Sequence, residues 1–489
     1  MSLHLSHALS SAKRTASRVK GLMNPRALRS LFKAHHNPGH ERYRRASITA
    51  SASLIQKTLT IAISLISVPL TVHYLGAERY GVWLTISSLL IWLSMTDFGL
   101  AGNALVNVLS EAHGKEDRRA AQEYTSSAVW ALIVIAVLLA VATLASFPFI
   151  PWSSVFKVTT VPPHELAVAC ALTLAFFIMS VPLSVQYSIY SAYQDGFLSN
   201  VWGIAINVAS LVALVVVSRF HGSLPELVLA LSGTRTVLAL MNVYYLFFRR
   251  YRWLRPSPTA VRWHCILRLF RVGFKYLVVQ LGALGIYQSQ PMIITQILGP
   301  TQVMIFVVAQ KIITLPADMI YLVTAPLIPA FGEAKARNDW KWIRGAYRNA
   351  TLASVATGVP VILAIALMAK PLIRVWAGPA AVPDTSLILW LSLYNLCCIV
   401  LMAGGQLLTG LERLNGPTLS ITLCALGTIG FGILFGRWIG LSGVAAAMGV
   451  SKLLFFFPIQ QWAVRRIFAA GTRRTIETTI NEVASSHSI

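Results

Sequence analysis

The sequence predicts an all-α polytopic membrane protein with about twelve transmembrane helices in two pseudo-symmetric six-helix lobes. Three observations lead to this fold class. The 489-residue chain is 56% hydrophobic and only 12% charged. Its apolar residues fall into long runs of the length that a helix needs to cross a bilayer. Short motifs near residues 74, 111 and 148 recur about 223 positions later.

Twelve apolar runs are candidate membrane spans, since crossing the hydrocarbon core takes about 20 mainly apolar residues. Helices are expected because the bilayer offers no water to satisfy free backbone groups. The runs cover more than half of the chain, which leaves no room for a sizeable soluble domain. The predicted spans are residues 54–74, 82–109, 125–147, 166–190, 198–218, 226–248, 273–298, 302–331, 350–370, 385–410, 418–436 and 441–464.

The net charge of +24 is distributed unevenly along the chain. If the N-terminus lies inside, the inside segments hold 31 Lys and Arg residues and the outside loops hold 6. Basic residues near span ends favour the cytoplasmic side, so both termini are predicted to be cytoplasmic. These residues are scattered over loops that flank the membrane, where they would meet anionic lipid headgroups. This pattern argues against nucleic-acid binding.

Composition divides the chain into five parts. The basic N-terminal segment, residues 1–46, has no apolar run long enough for a signal peptide. It is expected to be either disordered or an interfacial helix. A basic connector, residues 249–272, separates an N-lobe at 47–248 from a C-lobe at 273–467, and residues 468–489 form a cytoplasmic tail.

The two predicted lobes share motifs in the same order. YLG at 74–76 precedes span two, and ILG at 297–299 precedes span eight. EAHGK at 111–115 follows span two, and EAKAR at 333–337 follows span eight. A third pair, PFI and PLI, ends spans three and nine. The offsets of 223, 222 and 223 residues indicate parallel repeats, an architecture in which transporters place the substrate site between the halves.

Apart from Glu226, Lys275 and Lys370, which lie within two residues of a span end, six charged residues lie inside predicted spans, where a charge at the helix centre costs about 2.5–3.5 kcal/mol on insertion scales. Such residues usually line a water-filled cavity or an ion or substrate path. Four of the six are cations, so a cavity that they line would favour an anionic cargo. The six are Lys57, Asp97, Arg235, Lys311, Asp318 and Lys452.

Several of these charges also have a structural interpretation. Lys57 is one turn into span one and could extend its ammonium to the headgroups. Asp97 either pairs with a cation or caps a helix break at Gly99. Lys311 and Asp318 are seven residues apart, on about the same face of span eight. Because an unpaired carboxylate is expensive at depth, Asp97 is expected to pair with Lys57, and Asp318 with a cation on a facing helix.

Several motifs resemble the signature of Wzx-type polysaccharide flippases, of the multidrug/oligosaccharidyl-lipid/polysaccharide exporter superfamily. They are HYLGAERYGVW, SMTDFGLAGNAL and SEAHGKED, followed in the second half by PAFGEAKARND and TGLERLNGPTL. The resemblance covers residues 47–467 and implies a cationic central cavity and alternating access. It also implies movement of undecaprenyl-diphosphate-linked oligosaccharide from the cytoplasmic to the periplasmic leaflet of the bacterial inner membrane.

Span seven departs from that family. Relatives often carry an acidic residue before the LG that ends the span, followed by a basic one, where this chain has Gln290 and Pro291. The span is instead rich in amides, which can hydrogen-bond sugar hydroxyls. Cationic side chains elsewhere would neutralise a diphosphate. The predicted substrate-binding residues are Lys57, Arg235, Lys311, Lys452, Gln288 and Gln290.

We therefore expect a flippase for lipid-linked oligosaccharide that is not an enzyme and needs neither cofactor nor metal. The chain has no phosphate-binding loop, no His-Glu-x-x-His and no Ser nucleophile elbow. One alternative is a drug or cation antiporter of the same superfamily, which would want more acids than cations in its cavity. Another is a membrane-embedded polysaccharide polymerase or glycosyltransferase, which usually needs a large outer loop. Membrane lipids, the polymerase and the chain-length machinery are candidate partners.

Overall fold

A computed structural model gives the structure of this protein and describes residues 38–469 except 98, 159–160, 337 and 412–414. The described residues form helices and turns, with no strand among them. The predicted all-α class is therefore confirmed. Most of the N-terminal segment and most of the tail lie outside the described residues, so their expected states and the five domain bounds stay predictions.

The N-terminal half begins with a 56-residue helix. Its helices are α1 Pro38–Leu93, α2 Leu105–Gly114, α3 Arg118–Ser146, α4 Trp152–Phe156, α5 Pro163–Leu183, α6 Val185–Ala192, α7 Gly196–Arg219, α8 Leu224–Val228 and α9 Thr234–Tyr245. Short 3-10 turns occupy Ser94–Asp97, Phe147–Phe149, Arg252–Leu254 and Pro258–Ala260, and π-helical segments occupy Leu100–Ala104, Leu229–Gly233 and Leu246–Arg250.

The C-terminal half begins inside the predicted basic connector. Its helices are α10 Trp263–Tyr287, α11 Gln290–Leu298, α12 Pro300–Thr324, α13 Leu327–Ala336, α14 Trp340–Ala377, α15 Thr385–Gly410, α16 Asn415–Ile439 and α17 Leu441–Ser451. A 3-10 turn occupies Pro379–Ala381, and a π-helical segment, Lys452–Phe456, joins α17 to a last helix at 457–469.

Ten helical segments among the described residues are long and apolar enough to cross a membrane. The first, Ile55–Leu93, is interrupted at Gly76, whose backbone is not helical, so it comprises two helices. The segment formed by α10 and α11 is divided at residues 288–289 and is not among the ten. Counting the first segment as two spans and α10 with α11 as one gives the twelve spans that the sequence predicts.

The backbone repeats with the offset found in the sequence. Gly76 has φ 77° and ψ 172°, and Gly299 has φ 91° and ψ 166°. Helical residues flank both glycines directly, and glycine tolerates this positive φ because it has no Cβ. The π-helical segments Leu229–Gly233 and Lys452–Phe456 are also 223 residues apart. Both lobes therefore share backbone irregularities as well as helix order.

The loop after the second span repeats in the same way. Asp117 precedes α3, and its carboxylate accepts a hydrogen bond from the Ala120 amide at 2.9 Å. Asp339 precedes α14, and its carboxylate accepts one from the Trp342 amide at 3.0 Å. The residue before each aspartate has a positive φ, of 54° and 57°. Each aspartate satisfies one of the free amides at the start of a helix.

The two halves share a hydrophobic core around Gly76 and Gly299. The largest buried cluster combines residues of the first half, such as Val82 and Leu166, with residues of the second half, such as Phe306. A second cluster packs α2, α3 and α6 against the connector and the start of α10. A third packs α13, α14 and α15 together. The halves therefore have largely separate cores at the end away from the two glycines.

Hydrogen bonds also join the halves toward the Gly76 and Gly299 end. The hydroxyls of Thr85 and Thr295 lie 2.7 Å apart, and both residues are buried. The Trp376 indole donates to the Leu65 carbonyl at 2.7 Å. We call this end of the molecule the closed end. The shared core and the interlobe hydrogen bonds hold the lobes together at this end. A cavity between the lobes can therefore open at the opposite end.

Candidate functional site

Helices α1 and α12 bring the two lobes together in a contact that involves a predicted site residue. Lys57 of α1 is exposed, and its Nζ lies 5.6 Å from the centroid of the Tyr321 ring on α12. A cation at about 6 Å or less from a ring face is attracted by the ring's negative potential. Because Lys57 and Tyr321 belong to different lobes, this contact identifies the face of α12 that is turned toward α1.

Lys311 and Asp318 lie on nearly the same face of α12 as Tyr321. They precede it by ten and three positions, and a helix with about 3.6 residues per turn aligns such positions on one side. Lys311 is half-buried and Asp318 is exposed. Neither forms an ion pair with another described residue, so the expected cation partner of Asp318 is not seen in this conformation. The face that meets α1 thus carries one cation, one acid and one aromatic ring.

Arg235 lies on α9, two positions after the π-helical segment Leu229–Gly233. Its side chain is exposed although it belongs to a predicted span. No hydrogen bond or ion pair holds the guanidinium among the described residues. A π-helical turn is uncommon and often marks a functional position in a helix. The structure does not bring Arg235 into contact with Lys57 or Lys311.

Lys452 is enclosed within the C-terminal half and is only 5% exposed. Its Nζ lies 3.1 Å from Cys398 Sγ and 5.0 Å from the ring centroids of Tyr394 and Phe456. A side chain so enclosed offers almost no surface to a ligand in this conformation. Helix packing turns this residue toward α15, and its direct contact with substrate stays a prediction.

The amides of the seventh span are separated by the break between α10 and α11. Gln290 is fully buried, and its side-chain amide donates to the Ile286 carbonyl one turn earlier. It therefore offers no surface to a sugar in this conformation, and its contact with substrate stays a prediction. Gln288 is half-buried at the break, where its backbone carbonyl accepts a hydrogen bond from the Trp92 indole at 3.2 Å. Of the two predicted glutamines, Gln288 is the one with an accessible side chain.

Gln296 has a role at the closed end instead. Its side-chain amide donates to the Val155 carbonyl at 2.5 Å, and its own carbonyl accepts a hydrogen bond from the Lys157 ammonium. Residues 155 and 157 belong to α4 and its C-terminal end in the N-terminal half, whereas Gln296 belongs to α11. This amide therefore joins the lobes where they are already in contact.

Asp97 stabilises a break in the second span. Its carboxylate accepts a hydrogen bond from the Gly99 amide at 2.8 Å, and Gly99 has a φ of 70°. A Cβ at Gly99 would lie 2.9 Å from the Gly273 carbonyl oxygen, so this break packs tightly against α10. The capping interpretation of Asp97 is therefore seen. The expected ion pair of Asp97 with Lys57 is not, since Lys57 forms no ion pair with a described residue in this conformation.

The basic connector is held to the N-terminal half by its arginines. Arg250 lies 2.6 Å from the Asp195 carboxylate, which also accepts a hydrogen bond from the Tyr251 hydroxyl at 2.6 Å. Arg268 lies 2.6 Å from the Glu111 carboxylate. The hydrogen bond from Lys115 and the charge of Arg268 hold the pKa of Glu111 below its usual value. These pairs fix the link between the lobes at the end opposite the closed end.

One group of potential metal ligands lies on the same connector. The ligand atoms of Glu123, His264 and Cys265 lie within 4.8 Å of one another. The Glu123 carboxylate also lies 3.3 Å from Arg119 and 3.6 Å from Arg262. Two guanidinium groups already neutralise this carboxylate and oppose a further cation, so the cluster is better explained as an anchor for the connector.

The sequence motifs did not identify Tyr321 or the residues of the closed end. Tyr321 could have been found, because it lies three residues after Asp318 on the same helix face. The hydroxyl pair of Thr85 and Thr295 had no such signal, since these residues are 210 positions apart. Only the packing of the lobes brings them together.

The architecture defines a class of protein, namely a multi-pass helical membrane protein with two lobes. The inward-facing conformation of a multidrug resistance transporter of the MATE family and MOP superfamily has the same fold, with a TM-score of 0.71 and 15% identity over 88% of this chain and 99% of that one. The inward closed conformation of lipid II flippase MurJ has a TM-score of 0.66 and 12% identity over 86% of this chain and 90% of that one. These likenesses show the fold alone.

The chain belongs to the lipid II flippase MurJ family, whose model matches residues 99–486. A protein described as an O-antigen transporter from Salmonella typhi is 25% identical over 60% of this chain and 66% of the relative. One described as an O-antigen export protein from Yersinia pseudotuberculosis is 26% identical over 34% of this chain and 38% of the relative. The chain thus spans just under two thirds of the first relative. Family membership identifies a transporter rather than an enzyme and confirms the resemblance to polysaccharide flippases.

Proposed function

We propose that this protein moves an undecaprenyl-diphosphate-linked oligosaccharide from the cytoplasmic to the periplasmic leaflet of the bacterial inner membrane, with both termini cytoplasmic. The main observation in support is that exposed or half-buried cations lie in spans without carboxylate partners among the described residues. Lys57, Arg235 and Lys311 have this property. Unpaired charge at membrane depth is costly, so an anionic ligand that pairs with it would be stabilised.

The closed end gives a direction to the proposed cycle. With the termini inside, the turns at Gly76 and Gly299 face outside, so this conformation is open toward the cytoplasm. The diphosphate enters between the lobes near Lys57 and Lys311, and the lipid tail remains in the bilayer. Separation of Thr85 from Thr295 and contact at the opposite end then expose the sugar to the outside. No covalent bond changes, so the protein contributes binding and conformational energy only.

Aromatic and amide groups would hold the sugar. Tyr321 is 43% exposed on the same face as Lys311 and Asp318, and a flat ring can pack against the apolar face of a sugar. Gln288 presents a half-buried amide. We do not include Gln290 or Lys452 among the direct contacts, since both are enclosed in this conformation.

Accessible cations outnumber accessible acids in the spans, and this favours an anionic cargo over a drug or cation. Away from the span ends, three accessible cations lie in predicted spans among the described residues, whereas Asp97 is engaged with the Gly99 amide and Asp318 is the accessible acid. A cation antiporter needs the opposite balance, because a positive cavity repels its substrate. The names of the O-antigen relatives point in the same direction. A polymerase and the chain-length machinery remain proposed partners.

The proposal is tested by export assays on charge variants. Arg235→Ala and Lys311→Ala should each abolish polysaccharide export while the protein still inserts, because each removes a cation for the diphosphate. Arg235→Lys should retain part of the export if charge matters more than the planar guanidinium. Lys370→Ala, which removes an exposed cation from α14, is the matched control and should export normally. Normal export by both alanine variants would refute the role of these cations.

A further inference from the structure

Lys452 and Cys398 form a buried pair that the proposed transport path does not use. Lys452 is 5% exposed, and its ammonium nitrogen lies 3.1 Å from the Cys398 sulfur. No Asp or Glu among the described residues contacts Lys452. An ammonium removed from water without a counter-charge costs several kcal/mol. The structure must therefore compensate this charge by other means or leave the site neutral.

The residues around Lys452 include groups that stabilise its positive charge and groups that can exchange a proton with it. The rings of Tyr394 and Phe456 each lie 5.0 Å from Lys452 Nζ, a distance at which aromatic faces stabilise a cation. Thiols supply the only acidic groups besides phenols among its described neighbours. The titratable groups that face Lys452 are Tyr394, Cys397 and Cys398 from α15, Cys424 from α16 and Tyr287 from α10.

We propose that Lys452 and Cys398 form a proton-binding site within the C-terminal half. The fully protonated pair is an ammonium beside a thiol. When it has lost one proton, the pair is either an amine beside a thiol or an ammonium beside a thiolate, and both of these forms have zero net charge. Uptake of one proton from water forms one N–H or S–H bond and gives ammonium beside thiol, with net charge +1. Release of that proton to water reverses the step. The 3.1 Å separation allows the shared proton to move between nitrogen and sulfur.

The local backbone and exposure support a site rather than a packing residue. Lys452 opens a π-helical segment, which changes the direction of the side chains within its helix. Cys398 is half-buried and Tyr287 is 50% exposed, so the pair lies near the surface of the lobe rather than sealed inside it. The hydroxyl of the neighbouring Tyr394 ring is buried without a hydrogen-bond partner among the described residues, and it can orient toward either protonation state.

The site would couple protons to cargo. A diphosphate between the lobes lowers the electrostatic cost of a positive C-terminal half, so binding of the anion should favour proton uptake by the pair. Departure of the anion on the outside should favour release. This coupling rests on the proposed function, whereas the existence of the proton-binding pair does not.

The pair itself is tested without transport. Alkylation of Cys398 by iodoacetamide is measured against pH in the full-length protein and read by peptide mass spectrometry, with Cys397 as an internal control. Lys452→Met should move the pH midpoint of Cys398 alkylation upward by about one unit or more, and that of Cys397 much less. An unchanged Cys398 midpoint, or equal shifts at both cysteines, would overturn the proton-binding pair.

The coupling is tested by proton uptake in detergent with farnesyl diphosphate as the probe. Addition of the probe to the parent protein should draw protons from a weakly buffered medium, and Lys452→Met should lose this uptake while Lys370→Met keeps it. If Lys452→Met takes up protons as the parent does, the coupling is wrong. If no variant exports polysaccharide but the alkylation shift is present, the proposed function fails and the proton-binding pair stands.

Discussion

A methyl group at Gly81 should force open the closed end of the molecule. Gly81 lies in α1 five residues after Gly76, and a Cβ built on it would lie 1.8 Å from the Pro300 carbonyl oxygen. Ordinary contacts of a Cβ begin near 3.4 Å, so the two backbones would have to separate by about 1.6 Å. Because the obstacle is backbone, no side-chain rotation can relieve it.

The cost of this clash falls on the conformation in which α1 and α12 touch. Overpacking of a well-packed contact costs about 1–3 kcal/mol. That amount shifts a two-state equilibrium by about 5–150-fold. Gly81→Ala should therefore favour the state in which the lobes separate at this end, with little loss of folded protein. Gly345→Ala is the control, since a Cβ at Gly345 has no neighbour within 4 Å.

Labelling at the interface measures the shift. Thr295 is 1% exposed and hydrogen-bonds Thr85, so a cysteine at 295 should react slowly with an impermeant maleimide. Gly81→Ala should raise the rate of that reaction in intact cells, and Gly345→Ala should not. Equal rates in Gly81→Ala and the parent would refute the closed contact as a gate. Equal acceleration by both alanine variants would show that the effect is not specific to Pro300.

Two further predictions concern topology and symmetry. A cysteine replacing the exposed His221 should react with an impermeant maleimide in intact cells, whereas one replacing the exposed Thr259 should react only after lysis, because basic loops favour the cytoplasm. The reverse pattern would overturn the orientation. Asp117→Ala and Asp339→Ala should each destabilise the protein by about 0.5–2 kcal/mol, since each removes an N-cap. Midpoints of thermal unfolding in detergent should fall by similar amounts, and a loss confined to one variant would contradict the equivalence of the two loops.

Local chemistry in the sequence determined the repeated framework. The LG motifs predicted equivalent positions before spans two and eight, and Gly76 and Gly299 have nearly the same positive φ and extended ψ. The motifs after spans two and eight lead into equivalent aspartate caps at Asp117 and Asp339. Such features depend on a few neighbouring residues, on the conformations that glycine permits and on the length of apolar runs. For that reason they can be found without knowing how the helices pack.

The helix boundaries were predicted less well than the spans themselves. The predicted span 385–410 coincides with α15, but α14 extends beyond the predicted span 350–370 at both ends. Hydrophobicity reports the part of a helix that matches the bilayer core, whereas backbone hydrogen bonds continue into the interface. The break between α10 and α11 was not predicted, although Gln288, Ser289, Gln290 and Pro291 place a polar run and a proline there.

The sequence by itself determined which charges lie at membrane depth, and the tertiary structure decided what each one faces. Lys57 and Lys452 are alike as lysines in apolar runs, yet one is exposed beside Tyr321 of the other lobe and the other is enclosed beside Cys398. Gln288 and Gln290 differ in the same way. The helical spans are apolar on most sides. Hydrophobic periodicity therefore does not show whether a given helix face meets the lipid, the interior of its lobe or the space between the lobes. The environment of each face depends on the rotation of the helix about its axis. Contacts between residues far apart in the chain fix that rotation.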